Sequence, residues 1–179
     1  MKVLHTTKER TAGGGLQETK VAAEAEGLTI RKAHVSDIPR AHAIIDAYAR
    51  QGLMLKRPLT LLYETIRDLV IADVGGRVVA VGGLHVMWND LAEVRSLAVA
   101  DDFRGQGIGR RMVEYMLDEA RQMGLVRIFA LTYQQEFFAA CGFNVIEKDE
   151  LPQKVWKECV YCDRFQNCEE IAVIRYLGA

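Results

Sequence analysis

The stretch Arg104-Gly105-Gln106-Gly107-Ile108-Gly109 lies between a predicted strand and a long predicted helix, and it decides the fold. Its three glycines let the backbone approach a ligand closely. Main-chain N–H groups at the start of the helix point at an anion placed there. Arg104, Arg110 and Arg111 add positive charge at the same end. The stretch therefore predicts a cradle for phosphate or pyrophosphate.

This glycine loop differs from two familiar nucleotide-binding loops. It lacks the Gly-Lys-Ser/Thr ending of an ATP-binding P-loop. It is also one residue short of the dinucleotide fingerprint, whose third glycine stands three positions after the second. The strand before it and the amphipathic helix after it nevertheless favour a functional anion site over a simple turn.

Hydrophobic periodicity predicts an alternation of strands and helices around the glycine loop. The predicted strands are 28–33, 70–74, 77–87, 92–99, 126–131, 143–147 and 170–177. The predicted helices are 37–51, 60–68, 107–123 and 135–140. A turn at Gly75-Gly76 joins the second and third strands. This order predicts an α/β fold, a mixed sheet flanked by helices with one parallel pair of strands joined through a helix.

Length and composition predict one compact domain. The chain has 179 residues, and its 23 basic and 24 acidic side chains give a net charge of −1. No general basic excess indicates a nucleic acid or an anionic membrane as partner. No run approaches the ~18 apolar residues of a membrane span. The amino terminus lacks the apolar core of a signal peptide, so we expect a cytoplasmic protein.

The first 27 residues differ from the rest of the chain in composition. Gly13-Gly14-Gly15 interrupts them, and their apolar residues are mostly alanine, so we interpret 1–27 as a flexible N-terminal extension. Residues 28–179 form the predicted domain, in which a cysteine-bearing connection, 151–169, precedes the last strand.

The chain resembles the GNAT acetyltransferases. The resemblance rests on Leu97-Ala98-Val99, on the glycine loop that follows, and on Phe137-Phe138-Ala139-Ala140-Cys141-Gly142-Phe143, which is similar to the family's second signature. It implies the GNAT acyl-CoA N-acyltransferase fold, with acetyl-CoA as co-substrate lying along the fourth strand. The resemblance implies these cofactor-binding residues: Leu97, Ala98, Val99, Arg104, Gly105, Gln106, Gly107, Ile108, Gly109, Arg110 and Phe138.

Two further segments resemble the acetyltransferase domain of N-acetylglutamate synthases. Residues 51–57, with the basic pair Lys56 and Arg57, are similar to that family's segment ahead of the second helix. Residues 151–159, with Cys162 and Cys168, resemble the tail of short, single-domain members. The resemblance implies acetylation of the α-amino group of L-glutamate by acetyl-CoA, for arginine biosynthesis. We also expect a homodimer.

The chemistry of glutamate selects candidate acceptor residues. Its two carboxylates call for cations, and Lys56, Arg57 and Arg95 are the candidates for binding them. Its ammonium group must lose a proton before it attacks the thioester, and Glu93 is the candidate base, directly or through a water. In strict alternation Glu93 shares a face with Leu97 and Val99, an expectation that a bulge would change.

The proton donor to the leaving thiolate is less clearly indicated. Many family members use a tyrosine in the second signature, and Phe138 stands at that position here. Tyr133, Ser96 or water would then have to act, or CoA leaves as a thiolate. The missing tyrosine also favours an alternative, an acyl-CoA-binding regulatory module without turnover. A third alternative keeps the enzyme and changes the acceptor to another amino acid, a small amine or a protein terminus.

The cysteines have the spacing Cys159-x2-Cys162-x5-Cys168. They supply three thiolates where structural zinc normally takes four ligands, unless Cys141 comes close. Zinc at Cys159, Cys162 and Cys168 is possible but not favoured over reduced thiols, since a cytoplasmic protein keeps its cysteines reduced.

Overall fold

The computed structural model describes residues 27–152 and 167–178. The strands are β1 (Leu28–Lys32), β2 (Leu69–Val74), β3 (Arg77–Val86), β4 (Leu91–Val99), β5 (Arg127–Thr132), β6 (Asn144–Ile146) and β7 (Ile171–Tyr176). The helices are α1 (Ile38–Arg50), α2 (Leu59–Glu64), α3 (Ile108–Gln122) and α4 (Gln135–Ala140). In the described part of the chain the strands form one sheet in the order β1-β2-β3-β4-β5-β7-β6. Its β4–β5 pair is parallel, so the predicted mixed sheet is confirmed. None of the helices in these two ranges has the length and apolar character needed to cross a membrane.

Helix α3 is flanked by a glycine at each end, and these glycines mark where it begins and ends. Gly107, at φ +75°, precedes its first residue, and Gly124, at φ +76°, follows its last turn. The left-handed region disfavours other residues because their Cβ crowds the backbone. The apolar positions predicted to face the core are buried, and they are Met112, Val113, Met116, Leu117 and Ala120.

The helix predicted over 60–68 is wrong in its second half. Helix α2 ends at Glu64, and Ile66–Asp68 form a 3-10 turn. Thr65 leaves the helical region at φ −102° and ψ 22°, and its hydroxyl donates to the Leu61 carbonyl at 2.7 Å. A threonine hydroxyl bonded back to the preceding turn competes with helix continuation.

Helices cover both faces of the sheet. On one face α3 and α4 pack on a core that includes Val70, Val79, Leu84 and Val94. On the other face α1 and α2 pack on Leu69, Ile71, Val81 and Ala98, among others. A third cluster, with Leu91, Phe129, Leu151, Ala172 and Ile174, lies beside the second around β5 and β7. Below, these are called the α3 face and the α1 face.

Strand β4 carries a bulge in its pairing with β3. Val81 faces Ala98 and Gly83 faces Arg95, so Gly82 faces both Ser96 and Leu97. Ser96 has φ +51°, in the left-handed region. One extra residue in a strand reverses the side-chain alternation beyond it.

The expectation that Glu93 shares a face with Leu97 and Val99 is therefore wrong. Leu91 packs in the cluster on the α1 face, and alternation puts Glu93 on that face too. Beyond the bulge, Leu97 and Val99 pack with the core under α3. Around the bulge the strand thus presents Glu93 to one face and Leu97 and Val99 to the other.

Strands β4 and β5 also diverge after a short paired stretch. Their parallel pairing joins Leu91–Glu93 to Arg127–Phe129, and among the described residues it ends there. Beyond Glu93, the edge of β4 that faces β5 is left open. The opening and the bulge occur within a few residues of each other, and together they form the cleft described below.

An ion pair joins β1 to the start of α1. The Arg31 guanidinium donates to both carboxylate oxygens of Asp37, at 2.6 and 3.0 Å. The His34 main-chain N–H donates to the same carboxylate at 2.7 Å. Asp37 is buried, and these hydrogen bonds, the one from Arg31 foremost, hold the pKa of its carboxyl below the ordinary value. A fork of this kind is stronger than a neutral hydrogen bond.

We expect Asp37→Asn to lower the free energy of unfolding by about 1.5–3 kcal/mol at pH 7, because it weakens hydrogen bonds to a buried charge. A carboxylate with a lowered folded pKa stabilises above its unfolded pKa of about 3.9, and the contribution is lost as pH falls through the folded value. Urea unfolding across pH 3–7 should therefore show the gap to the parent closing below about pH 4.

The matched control is Asp118→Asn. Asp118 pairs with Arg121 at 2.6 Å on the surface, with 69% of its side chain exposed. Exposed pairs contribute about 0–1 kcal/mol. Equal losses in both variants, or a gap for Asp37→Asn that does not change with pH, would contradict the role given to this ion pair.

Candidate active site

A cleft of about 1030 Å³ opens where β4 and β5 diverge. It is lined from the α3 face by Leu97, Val99, Phe103, Arg104, Gly105, Gly107, Ile108, Gly109, Arg110, Phe137 and Phe138. The remaining lining includes Met54, Lys56, Arg57, Glu93, Arg95, Ser96, Leu131, Tyr133, Lys148, Cys168 and Glu170. The cleft therefore has a glycine-rich end, with apolar side chains and two arginines, and an end lined by charges of both signs, here called the loop end and the acceptor end.

The glycine loop lines the loop end of the cleft. Gly105 and Gly107 both lie at positive φ, +74° and +75°, and a Cβ built on either meets nothing within 4 Å. A Cβ on Gly109 would come within 3.3 Å of the Phe137 ring, so this glycine lets α3 pack against α4. Gln106 is the exception among the predicted residues, since its amide donates to the Asp102 carbonyl at 3.3 Å and it does not line the cleft.

Arginines surround the loop end. Arg104 is 65% exposed and lies 3.6 Å from Asp101, and Arg110 is equally exposed and donates to Glu114 at 3.0 Å. Both line the cleft. Surface pairs of this kind are weak, so these guanidinium groups can turn toward an anion at little cost.

The open edge of β4 offers main-chain groups to the cleft. The Ala100 N–H donates to the Val79 carbonyl at 2.8 Å, and in an antiparallel ladder the neighbouring residue then points its N–H and C=O the other way. Val99 accordingly faces the side of β5. Its carbonyl accepts a hydrogen bond from the Tyr48 hydroxyl at 2.6 Å, and a carbonyl oxygen has a second lone pair.

The acceptor end is built around an ion pair on β4. Arg95 Nε donates to Glu93 Oε2 at 2.6 Å, and the two side chains are only 13% and 14% exposed. The Arg95 guanidinium also lies 3.3 Å from the sulfur of Met87. The structure brings the candidate base and a candidate carboxylate ligand together as one neutral pair.

The segment after α1 places the predicted basic pair at the same end. Lys56 is exposed and Arg57 is half-buried, and both line the cleft. The positive charge of Arg57 acts on Glu170 through space and lowers the pKa of its carboxyl. Arg57 therefore lies among the charged groups of the acceptor end.

Sequence reasoning missed three residues of the acceptor end. Lys148 donates from Nζ to the Cys168 carbonyl at 2.8 Å, and the Cys168 thiol lies 3.8 Å from Glu170 Oε2. Burial raises the pKa of the Glu170 carboxyl, and the negative charge of Glu93 raises it further. The Cys168 hydrogen bond and the charges of Lys148 and Arg57 act in the opposite direction.

The candidate proton donors also lie along the cleft. Ser96 stands in the bulge and Tyr133 follows β5, and both are half-buried. Phe138 is buried, and its ring makes edge-to-face contacts with Phe137 and Phe143, with centroids 5.2 Å apart in each case. Phe138 is thus an aromatic core residue that reaches the cleft without a polar atom.

The cysteines divide between described and undescribed residues. Cys159 and Cys162 lie outside the described ranges, as does the predicted extension up to residue 26. Cys141 is buried, and burial raises the pKa of its thiol, which makes it a poor nucleophile. Among residues 27–152 and 167–178, no cluster of three or more His, Cys, Asp or Glu side chains is arranged to hold a metal ion.

Comparison of the sequence with known proteins gives consistent matches. Residues 39–143 match the acetyltransferase (GNAT) family. The chain is 38% identical to an uncharacterized N-acetyltransferase of Chlorobaculum tepidum over 153 residues, 86% of this chain and 99% of that protein. It is 39% identical to the amino-acid acetyltransferase of Mycobacterium tuberculosis over 132 residues, 72% of this chain and 75% of that protein.

Solved structures share the fold. N-acetylglutamate synthase from Neisseria gonorrhoeae, complexed with coenzyme A and N-acetyl-glutamate, superposes with a TM-score of 0.78 at 31% identity. The match covers 85% of this chain and 35% of that longer chain. A protein from Mycobacterium tuberculosis in complex with CoA superposes with a TM-score of 0.74 at 33% identity, covering 84% of this chain and 99% of that one.

Proposed function

The chain belongs to the acetyltransferase (GNAT) family, and from that premise we propose that it transfers the acetyl group of acetyl-CoA to the α-amino group of L-glutamate. The product is N-acetylglutamate, which enters arginine biosynthesis. The observation that carries the proposal is the cleft itself. A phosphate-type loop at one end is joined to an acceptor end that holds both cations and carboxylates.

In this proposal acetyl-CoA binds from the loop end. Residues 104–109 hold the pyrophosphate with their main-chain N–H groups, while Arg104 and Arg110 add charge. The main chain of Leu97 and Val99 pairs with the pantetheine amides along the open edge of β4. The apolar side chains at this end, including Phe138, exclude water from the thioester, and Ala98 lines the cleft from the α1 face.

The acceptor amine is activated on the opposite face of the sheet. The α-ammonium group gives its proton to Glu93, directly or through a water, and the neutral amine attacks the thioester carbon. As the amide forms, the nitrogen gives up its second proton to solvent. The C–S bond breaks, and the sulfur leaves with the bonding electrons. Tyr133, Ser96 or a water protonates it, or CoA departs as a thiolate, since Phe138 has no proton to give.

Charge at the acceptor end favours a dicarboxylic amino acid. Lys56, Arg57 and Arg95 are the proposed ligands of the glutamate carboxylates. Arg95 is already neutralised by Glu93 at 2.6 Å. Arg57 is half-buried at the acceptor end, and it is our proposal for the residue that binds the side-chain carboxylate.

The direct test measures thiol release from acetyl-CoA with a panel of amines. The panel contains L-glutamate, its isosteric neutral analogue L-glutamine, leucine, lysine, a polyamine and a peptide with an uncharged side chain at its amino terminus. Glutamate should give by far the highest kcat/KM. Acetylation of leucine or lysine as readily as glutamate would leave the family assignment intact and remove glutamate as the substrate.

Location and assembly are part of the same proposal. We expect a homodimer in the cytoplasm. Light scattering on the purified chain measures its oligomeric state.

Gly107→Val should lower the affinity for acetyl-CoA at least tenfold, because a branched side chain at the head of α3 blocks close approach of the pyrophosphate. Gly124→Val is the matched control. Its φ of +76° equals that of Gly107 within 1°, a Cβ there also meets nothing within 4 Å, and it lies at the far end of the same helix. Both variants carry the same backbone strain of at least ~1–2 kcal/mol.

Isothermal titration with acetyl-CoA distinguishes the two sites. The assignment stands if Gly107→Val loses affinity while Gly124→Val binds like the parent. It fails if both variants bind like the parent, or if both weaken to the same extent.

Arg57→Ala should raise KM for glutamate by more than tenfold and leave KM for acetyl-CoA almost unchanged. Losing one partner of a buried charge pair costs about 2–5 kcal/mol. The expected increase for glutamine is much smaller, since its amide carries no charge. Steady-state kinetics with both acceptors measure the difference, and Arg67→Ala, an exposed arginine outside the cleft, is the control. Equal losses toward acetyl-CoA and glutamate would indicate a structural role.

A further inference from the structure

Glu170 is a carboxylate at the acceptor end that the mechanism above does not use. It precedes β7 and lines the same cleft as Glu93. The β5–β7 pairing ends with Thr132 opposite Ile171, and Tyr133 and Glu170 are the next residues of the two segments beyond it. Residues 172 and 174 of β7 pack in the cluster on the α1 face, and alternation puts Glu170 on that face with Glu93.

The surroundings of Glu170 differ from those of Glu93. Glu93 accepts a short hydrogen bond from the Arg95 guanidinium, so its charge already has a partner at 2.6 Å. Glu170 accepts a long contact, 3.8 Å, from the Cys168 thiol, and Lys148 is anchored nearby on the Cys168 carbonyl. The ionised form of Glu170 therefore receives less stabilisation from hydrogen bonds than the ionised form of Glu93 does.

Electrostatics agree with this geometry. Burial raises the pKa of Glu170, the nearby Glu93 carboxylate raises it again, and the Cys168 hydrogen bond, Lys148 and Arg57 oppose both effects. A base with a raised pKa is better matched to take a proton from an ammonium group near neutral pH.

We propose that Glu170 is a second catalytic carboxylate, which contacts the ammonium group of the acceptor and holds the proton that leaves it. The proposal rests on the proposed function and moves the proton-accepting role from Glu93 to Glu170, while Glu93, hydrogen-bonded to Arg95, orients the amine. The N–H bond breaks with its electron pair left on nitrogen, and an O–H bond forms on Glu170. The neutral amine then attacks the thioester carbon, its second N–H proton passes to solvent as the amide forms, and the sulfur leaves with the C–S bonding electrons.

The test is the pH dependence of kcat/KM for the acceptor amine, measured by thiol release on the full chain. Glu170 must be ionised to accept a proton, so activity should fall as pH drops through its pKa. Glu170→Gln should abolish this acidic limb and lower kcat by about a hundredfold or more. Glu170→Asp, which keeps the carboxylate, should retain the limb with a smaller loss.

Neighbouring charges should move the acidic limb in opposite directions. Glu93→Gln removes a negative charge that raises the pKa of Glu170, so the limb should shift to lower pH. Lys148→Met removes a positive charge that lowers it, so the limb should shift to higher pH. These two variants test the proposal even if Glu170→Gln does not fold.

The exposed neighbour provides the matched control, because Glu169→Gln changes the same residue type one position away and should leave the profile unchanged. A parent-like profile in Glu170→Gln, or no opposite shifts in the other two variants, overturns the role of Glu170 while the transferase assignment stands. If the parent prefers another amine, the glutamate assignment fails and the Glu170 test is made with that amine. If the parent acetylates no amine, both proposals fall.

Discussion

The cleft depends on one irregularity, the extra residue that β4 carries opposite Gly82. A regular strand would put Glu93, Arg95, Leu97 and Val99 on one face. With Ser96 held at φ +51°, the polar residues stay on the α1 face and the apolar residues turn to the α3 face. One strand can then line a charged compartment and an apolar compartment within a few residues.

The end of the β4–β5 pairing completes this arrangement. If β5 continued alongside β4, it would cover the edge to which Val99 points its main-chain groups. Pairing stops at Glu93 and Phe129 in the described part of the chain, so the two compartments communicate through the gap between the strands.

Much of the loop end could be predicted from sequence because its determinants are local. Glycines at fixed positions, a preceding strand and an amphipathic helix specify a conformation within a few residues, and Gly105 and Gly107 adopt it. The bulge could not be predicted, since it is defined by the register against β3. No sequence pattern assigns Lys148, Cys168 or Glu170 to an acceptor site. Lys148 comes from the turn after β6, and Cys168 and Glu170 come from the segment before β7, which lies between β5 and β6 in the sheet. The one signal for Glu170 is a polar run directly before an apolar strand.

Phe138 shows how the two compartments constrain the chemistry. Its ring is fixed between Phe137 and Phe143, on the α3 face, where the cleft is apolar. A group that handles protons therefore has to act from the bulge or from the α1 face, where Ser96, Tyr133, Glu93 and Glu170 line the cleft. In the proposed mechanism the proton-transferring groups lie on the face that receives the acceptor, away from the apolar side chains around Phe138. At this end of the cleft, burial raises the pKa of Glu170 while the nearby cations Lys148 and Arg57 lower it. Those cations suit a substrate that brings negative charge of its own.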